Sequence, residues 1–183
     1  EGDEVVYHEM FLHVPLLAHG SAKRVLIIGG GDGGLLEEVL KHDIQHVTEV
    51  ELDGGVVEVS KQYLSSICGQ AYDDPRVNLV IGDGAKFVAE TDQTFDLVLV
   101  DSTDPIGPGA VLFTREFYGD CQKCLRPGGI LVTQNGVPFV QGDELQSSVA
   151  YFRSLFKDAG AYVISCPTYA LGFMALGWAT DDA

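Results

Sequence analysis

Four short strand-like runs, each followed by a helical period, constrain this chain more than any other feature. They are RVLIIG (24–29), HVTEVEL (46–52), VNLVIGD (77–83) and FDLVLVD (95–101). The last is almost continuously apolar, as expected of a strand buried on both faces in a parallel sheet. GGLLEEVLKH (33–42) follows the first run with apolar residues at 35, 36, 39 and 40, a helical spacing. GGVVEVSKQYL (54–64) and a segment near 84–91 supply the next two helices. Beyond a Gly- and Pro-rich loop, STDPIGPGAV, the pattern predicts a helix over 114–124 and a strand within PGGILVTQN (127–135). A long helix is then expected over 142–160, ended by Gly160. Two further apolar runs, AYVISCPTY and FMALGWAT, predict a hairpin on the sheet edge, and YHEMFLHVPLLAH predicts a helix packed on the sheet ahead of the first strand. Alternation of this kind implies a doubly wound α/β sheet, mostly parallel with a C-terminal antiparallel hairpin, in a single domain over 1–183.

The formal net charge of −16 argues against a nucleic-acid partner, which needs clusters of Lys and Arg that are missing here. It is compatible with a cationic ligand, although from charge alone a solubilising acidic surface is the favoured account. No apolar run approaches the ~18 residues of a membrane span, so no membrane partner is expected. The first residues, EGDEVVYHEM, lack the pattern of a signal peptide. Cys121 and Cys124 form a CxxC, but Cys68 and Cys166 are isolated and supply no second pair. Buried free thiols in a reducing, cytoplasmic setting are expected, with no metal site.

In open α/β sheets, ligands bind outside the carboxyl ends of the strands. Those ends carry Gly29, Gly30, Gly31, Asp32, Gly33 and Gly34 after the first strand. Glu51 lies at the second, Asp83 and Gly84 at the third, and Asp101 followed by Asp104 at the fourth. Gly29, Gly31 and Gly34 satisfy GxGxxG, a weak signal by itself. Glu51, 17 residues beyond Gly34, is placed to accept from ribose hydroxyls, and Asp83 from an exocyclic amine. Helix capping by Asp32 and ordinary loop polarity at Glu51 and Asp83 are the competing readings. A pyrophosphate would meet Asp32, Asp101 and Asp104 with no Lys or Arg to balance them, so a nucleoside bearing positive charge is favoured. Asp101 and Asp104, on a loop fixed by Pro105 and Pro108, can bind an amine and accept its proton. An alkylammonium, with a pKa of about 10.4, must lose a proton before it can attack.

The segments YHEM, VLIIGGGDGG, VELD, DDPR, DSTDPIGPG and PTY, in this order, resemble those of spermidine synthase, a polyamine aminopropyltransferase. The resemblance runs from Val5 to Thr180 and is strongest to the bacterial enzymes of the family. It implies a Rossmann-like sheet of the class I S-adenosylmethionine-dependent methyltransferase type. The implied activity is transfer of an aminopropyl group from decarboxylated S-adenosylmethionine, a co-substrate, to putrescine, without metal or prosthetic group. By this resemblance Asp101 is the proton acceptor. Tyr7, His8, Asp32, Asp104, Gln134 and Tyr169 join it on the amine side, and Glu51, Asp83, Gly84 and Pro108 hold the adenosyl moiety. A homodimer or homotetramer is implied for full-length relatives.

The sequence departs from the family at three places. Relatives carry a small β-stranded domain ahead of YHEM, absent from this sequence. Glu37 stands where they usually have Arg, so a salt bridge or helix-surface contact is expected to be lost. ALGFMALGW differs from the usual GGIMTFAW, which puts the packing of the last strand in question. Two alternatives stand beside the transferase: a methyltransferase using intact S-adenosylmethionine, and a non-catalytic nucleoside- or polyamine-binding module.

Overall fold

A computed structural model describes residues 4–182. It contains a seven-stranded sheet in the order β3-β2-β1-β4-β5-β7-β6. The first five strands, β1 (Arg24–Gly29), β2 (His46–Glu51), β3 (Val77–Ile81), β4 (Phe95–Asp101) and β5 (Leu125–Gln134), pair in parallel. The last two, β6 (Asp158–Ser165) and β7 (Phe173–Thr180), form an antiparallel hairpin with β7 inserted beside β5. Strand order reverses between β1 and β4, which opens a crevice at their carboxyl ends.

Alternate residues of β1 and β4 feed two apolar layers. Val25, Ile27, Leu97 and Leu99 pack under α1 (Glu4–His19) and α2 (Gly34–Leu40). Leu26, Ile28, Val98 and Val100 pack under α5 (Gly84–Glu90), α6 (Arg115–Cys124) and α7 (Gly142–Leu155). Two further helices, α3 (Gly54–Tyr63) and α4 (Ser65–Cys68), follow β2. Cys68, Cys121 and Cys124 are free and buried, and Cys166 is buried as well. Among the described residues, no helix is long and apolar enough to cross a membrane.

Helix α1 is tied to α2 and the turn beyond it by a polar cluster. His13 Nε2 lies 3.3 Å from Glu38 Oε2, and His13 Nδ1 lies 3.0 Å from His42 Nε2. Lys41 Nζ, 2.6 Å from Glu38 Oε1, supplies the charge that the buried Glu38 carboxylate needs. Lys41 also reaches Glu37 at 2.9 Å. The acidic residue at position 37 therefore makes its own ion pair on the helix surface.

One expected boundary is corrected. The last helix ends at Leu155, with Phe156 as its C-cap, and Gly160 lies within β6 opposite Trp178. A Cβ at Gly160 would come within 3.2 Å of the Trp178 indole nitrogen. This glycine answers a close approach across the hairpin and has no part in ending a helix. Within ALGFMALGW, Ala170–Gly172 makes a 3-10 turn and the strand begins at Phe173, pairing with β6 from Phe173 and with β5 from Leu176.

Candidate active site at the β1–β4 crevice

The crevice holds a cleft of about 220 Å³ bounded by Glu4, Tyr7, His8, Asp32, Asp101 and Tyr169, among others, with no Lys or Arg in its lining. Asp101 ends β4 directly beside Gly29 of β1. The Gly30 amide donates to the Asp101 carbonyl at 3.0 Å, and a side chain at Gly29 would overlap that same carbonyl. The glycine turn is thereby fastened to the backbone of the residue it faces.

Tyr7 on α1 donates from its hydroxyl to Asp101 Oδ1 at 2.6 Å. Burial raises the Asp101 carboxyl to about 6. His8 and the Tyr7 bond pull it down, while Asp32 and Glu51 push it up. Near neutrality Asp101 is therefore mostly ionised, yet close enough to neutrality to take up a proton. Burial, and then the Asp101 charge, raise the Tyr7 phenol well above its usual value, so it stays a donor.

His8 is buried, with Nδ1 2.8 Å from Glu4 Oε2 and Nε2 3.7 Å from Asp32 Oδ2. Its ring lies where a side chain at Gly34 would have to go. Asp32 divides its carboxylate: Oδ1 accepts from the Gly34 amide at 2.9 Å, while Oδ2 faces His8 and the cleft. The capping reading and the ligand reading of Asp32 thus use different oxygens. Tyr169 stands across from Tyr7 with ring centroids 6.3 Å apart. Burial and the Asp101 charge raise its phenol as well.

The adenosyl candidates lie along the neighbouring strand ends. Glu51 Oε1 accepts from the Asp53 amide at 2.9 Å, and its side chain lies against Gly31. Asp83 caps α5, with Oδ1 accepting from the amides of Ala85 and Lys86 at 2.9 and 3.2 Å. Its other oxygen carries no capping bond. At Gly84, any side chain would overlap Ile28 of β1, so strand packing already requires glycine there. Pro108 sits exposed in a 3-10 helix over Gly107–Phe113.

Asp104 and Gln134 are not among the residues bounding the cleft around Asp101. Asp104 is exposed, and its Oδ1 accepts from Gln141 Nε2 at 3.0 Å. Gln134 is buried at the end of β5, and its Oε1 has no hydrogen-bond partner among the described residues. Sequence reasoning passed over Glu4, although its i,i+4 spacing to His8 was available as a signal. It also passed over Gln141, Glu49 and Tyr72, whose partners lie far away along the chain.

A family model described as the spermine/spermidine synthase domain matches residues 4–183. The chain belongs to the spermine/spermidine synthase family. Within that family it is 60% identical to a polyamine aminopropyltransferase of Ruegeria sp. and 54% identical to one of Pseudomonas syringae pv. tomato, each over all of this chain. It spans 64% of the length of each of these relatives. A crystal structure of spermidine synthase in complex with the transition-state analogue AdoDATO superposes with a TM-score of 0.94 at 39% identity. That match covers 98% of this chain and 61% of the other. Spermidine synthase from Thermotoga maritima superposes with a TM-score of 0.89 at 36% identity, covering 98% and 60%. The family match agrees with the expected sheet, its switch point and its terminal hairpin.

Proposed function

We propose that this chain is the catalytic portion of a polyamine aminopropyltransferase acting on decarboxylated S-adenosylmethionine and putrescine. The observation that carries the reading is Asp101, a half-buried carboxylate at the switch point. A phenol holds it, carboxylates flank it, and no Lys or Arg lines its cleft. Such a cleft favours positively charged ligands, and both the sulfonium and the alkylammonium qualify.

In this reading Glu51, Asp83, Gly84 and Pro108 form the adenosyl side, and Tyr7, His8, Asp32, Asp104, Gln134 and Tyr169 the amine side. Asp101 accepts a proton as the amine lone pair attacks the carbon beside the sulfonium. A C–N bond forms, the C–S pair goes to sulfur, and a neutral thioether, methylthioadenosine, departs. Holding amine and carbon in line supplies much of the acceleration. The positive charge of sulfur is lost in the step, so the carboxylates need not stabilise any new charge on the leaving group. Intact S-adenosylmethionine would bring its own carboxylate towards Asp32, which disfavours a methyltransferase. A homodimer or homotetramer, as the resemblance implies for full-length relatives, belongs to the same proposal.

The test is turnover of putrescine by this protein, with decarboxylated and intact cofactor compared. Spermidine is expected with the decarboxylated cofactor alone. Asp101→Asn should lower turnover roughly 10²–10⁴-fold while methylthioadenosine binding persists. Methyl transfer from intact cofactor, or wild-type turnover in Asp101→Asn, would overturn the reading. Binding without turnover of either cofactor would point to the non-catalytic module.

A further inference from the structure

Beneath the glycine turn lies a carboxyl group whose charge no cation matches. Glu49 sits in β2 between Ile27 of β1 and Leu79 of β3, with no exposed surface. Its Oε1 is 2.9 Å from the Tyr72 hydroxyl, and its Oε2 has no hydrogen-bond partner among the described residues. The same hydroxyl is 3.0 Å from the Gly31 carbonyl. A phenol carries a single proton. Tyr72 therefore cannot donate to Glu49 and to Gly31 at once.

We propose that Glu49 is a positioning residue for the glycine turn, and that its protonation decides which of the two acceptors Tyr72 serves. When Glu49 is neutral, its O–H donates to the Tyr72 oxygen and the phenol proton goes to the Gly31 carbonyl. When Glu49 gives its proton to solvent, it becomes the stronger acceptor and takes the Tyr72 donor. The Gly31 carbonyl then loses its partner. Glu51 also stands close by, since a Cβ at Gly31 would lie 2.9 Å from Glu51 Oε2.

The groups facing Glu49 favour the neutral form. Burial raises it first, the Tyr72 bond opposes this, and Glu51, Asp101 and Asp32 add to the rise, bringing Glu49 to about 8. Behind Tyr72 stand the Cys68 thiol and Lys61, whose Nζ is 5.9 Å from the ring centroid. The change of partner thus falls in the neutral to mildly alkaline range. The switch is independent of the reaction, whereas its effect on ligand affinity rests on the nucleoside reading of the cleft.

Carbon-13 NMR of the labelled chain tests the switch directly. Between pH 6 and pH 9.5 the Glu49 carboxyl carbon and the Gly31 carbonyl carbon should titrate together, with a midpoint near 8. In Tyr72→Phe, Glu49 should still titrate while Gly31 stays still. In Glu49→Gln, whose amide remains a donor at all pH, Gly31 should be pH-independent. A Glu49 midpoint in the ordinary carboxylate range, or a Gly31 carbon that does not move in the wild type, overturns the proposal. So does unchanged Gly31 titration in Tyr72→Phe.

Calorimetry with methylthioadenosine supplies a second arm. Affinity should fall about threefold to tenfold from pH 7 to pH 9 in the wild type, the worth of one hydrogen bond, and stay level in Glu49→Gln. Level affinity in the wild type overturns the positioning role. No binding at any pH overturns the nucleoside reading instead, and the carbon shifts still decide the switch.

Discussion

Tyr7 and Asp101, 94 positions apart in the chain, meet in a 2.6 Å hydrogen bond that joins the first helix to the carboxyl end of β4. The bond favours the ionised carboxylate, while burial favours the neutral acid. Asp101 is therefore tuned by two opposed effects of one packing arrangement: α1 covers it and also supplies its donor.

Tyr7→Phe should separate these effects. The cover remains and the donor is lost, so the Asp101 carboxyl rises above about 6. The acid limb of kcat/KM should move to higher pH by roughly one unit, the worth of a hydrogen bond to a charged group. A limb that stays in place would mean that Tyr7 does not tune Asp101.

In the wild type, kcat/KM should increase as pH rises through about 6. The sign follows from the raised value: below it Asp101 carries a proton and cannot accept another, and above it the acceptor form predominates. A pH–rate profile that is level between pH 5 and pH 7 would contradict proton acceptance by Asp101.

Gly34→Ala should destabilise the fold and the amine side together, since the new methyl would overlap the buried His8 ring. A loss of about 1–3 kcal/mol is expected in chemical denaturation, typical of overpacking. The effect on amine KM should exceed that on methylthioadenosine affinity. An unchanged denaturation midpoint would show that His8 can give way.

Glu49→Gln should gain stability relative to the wild type as pH rises. Glu49 is raised to about 8 in the fold and ionises near its ordinary value of about 4.3 when unfolded. The unfolded chain thus releases the proton first, and wild-type stability is lost progressively between those two values. The difference between the two proteins should grow across that window by up to about 5 kcal/mol, and then level off. A pH-independent difference in thermal or chemical unfolding would place the Glu49 carboxyl in the ordinary range.

Much of this was legible in the sequence because the strands announce themselves locally. The runs ending at Gly29, Glu51 and Asp101 carry both their apolar period and their terminal glycine or carboxylate within about seven positions. The order of strands then brings those ends together. What escaped the reading depends on partners distant in the chain. Gly160 reads as a helix stop until Trp178 is laid against it. Glu49 reads as an ordinary strand polar residue until Tyr72 closes over it. Asp32 and Asp83 were legible as carboxylates, but the division between a capping oxygen and a free one is a matter of geometry alone.

The fastening of the Gly30 amide to the Asp101 carbonyl, with Gly29 pressed on the same carbonyl, bears on how such a cleft could be re-engineered. The turn assigned to the nucleoside and the residue assigned to the amine share one seam of backbone. Their separation is set by the spacing of two adjacent strands. A grafted acceptor loop can lengthen or widen the amine pocket only beyond Asp101, because shifting Asp101 itself would drag the donor's cradle along with it. Changes of amine preference should therefore map outward along the loop after Asp101, while the reacting centre stays in register with the sheet.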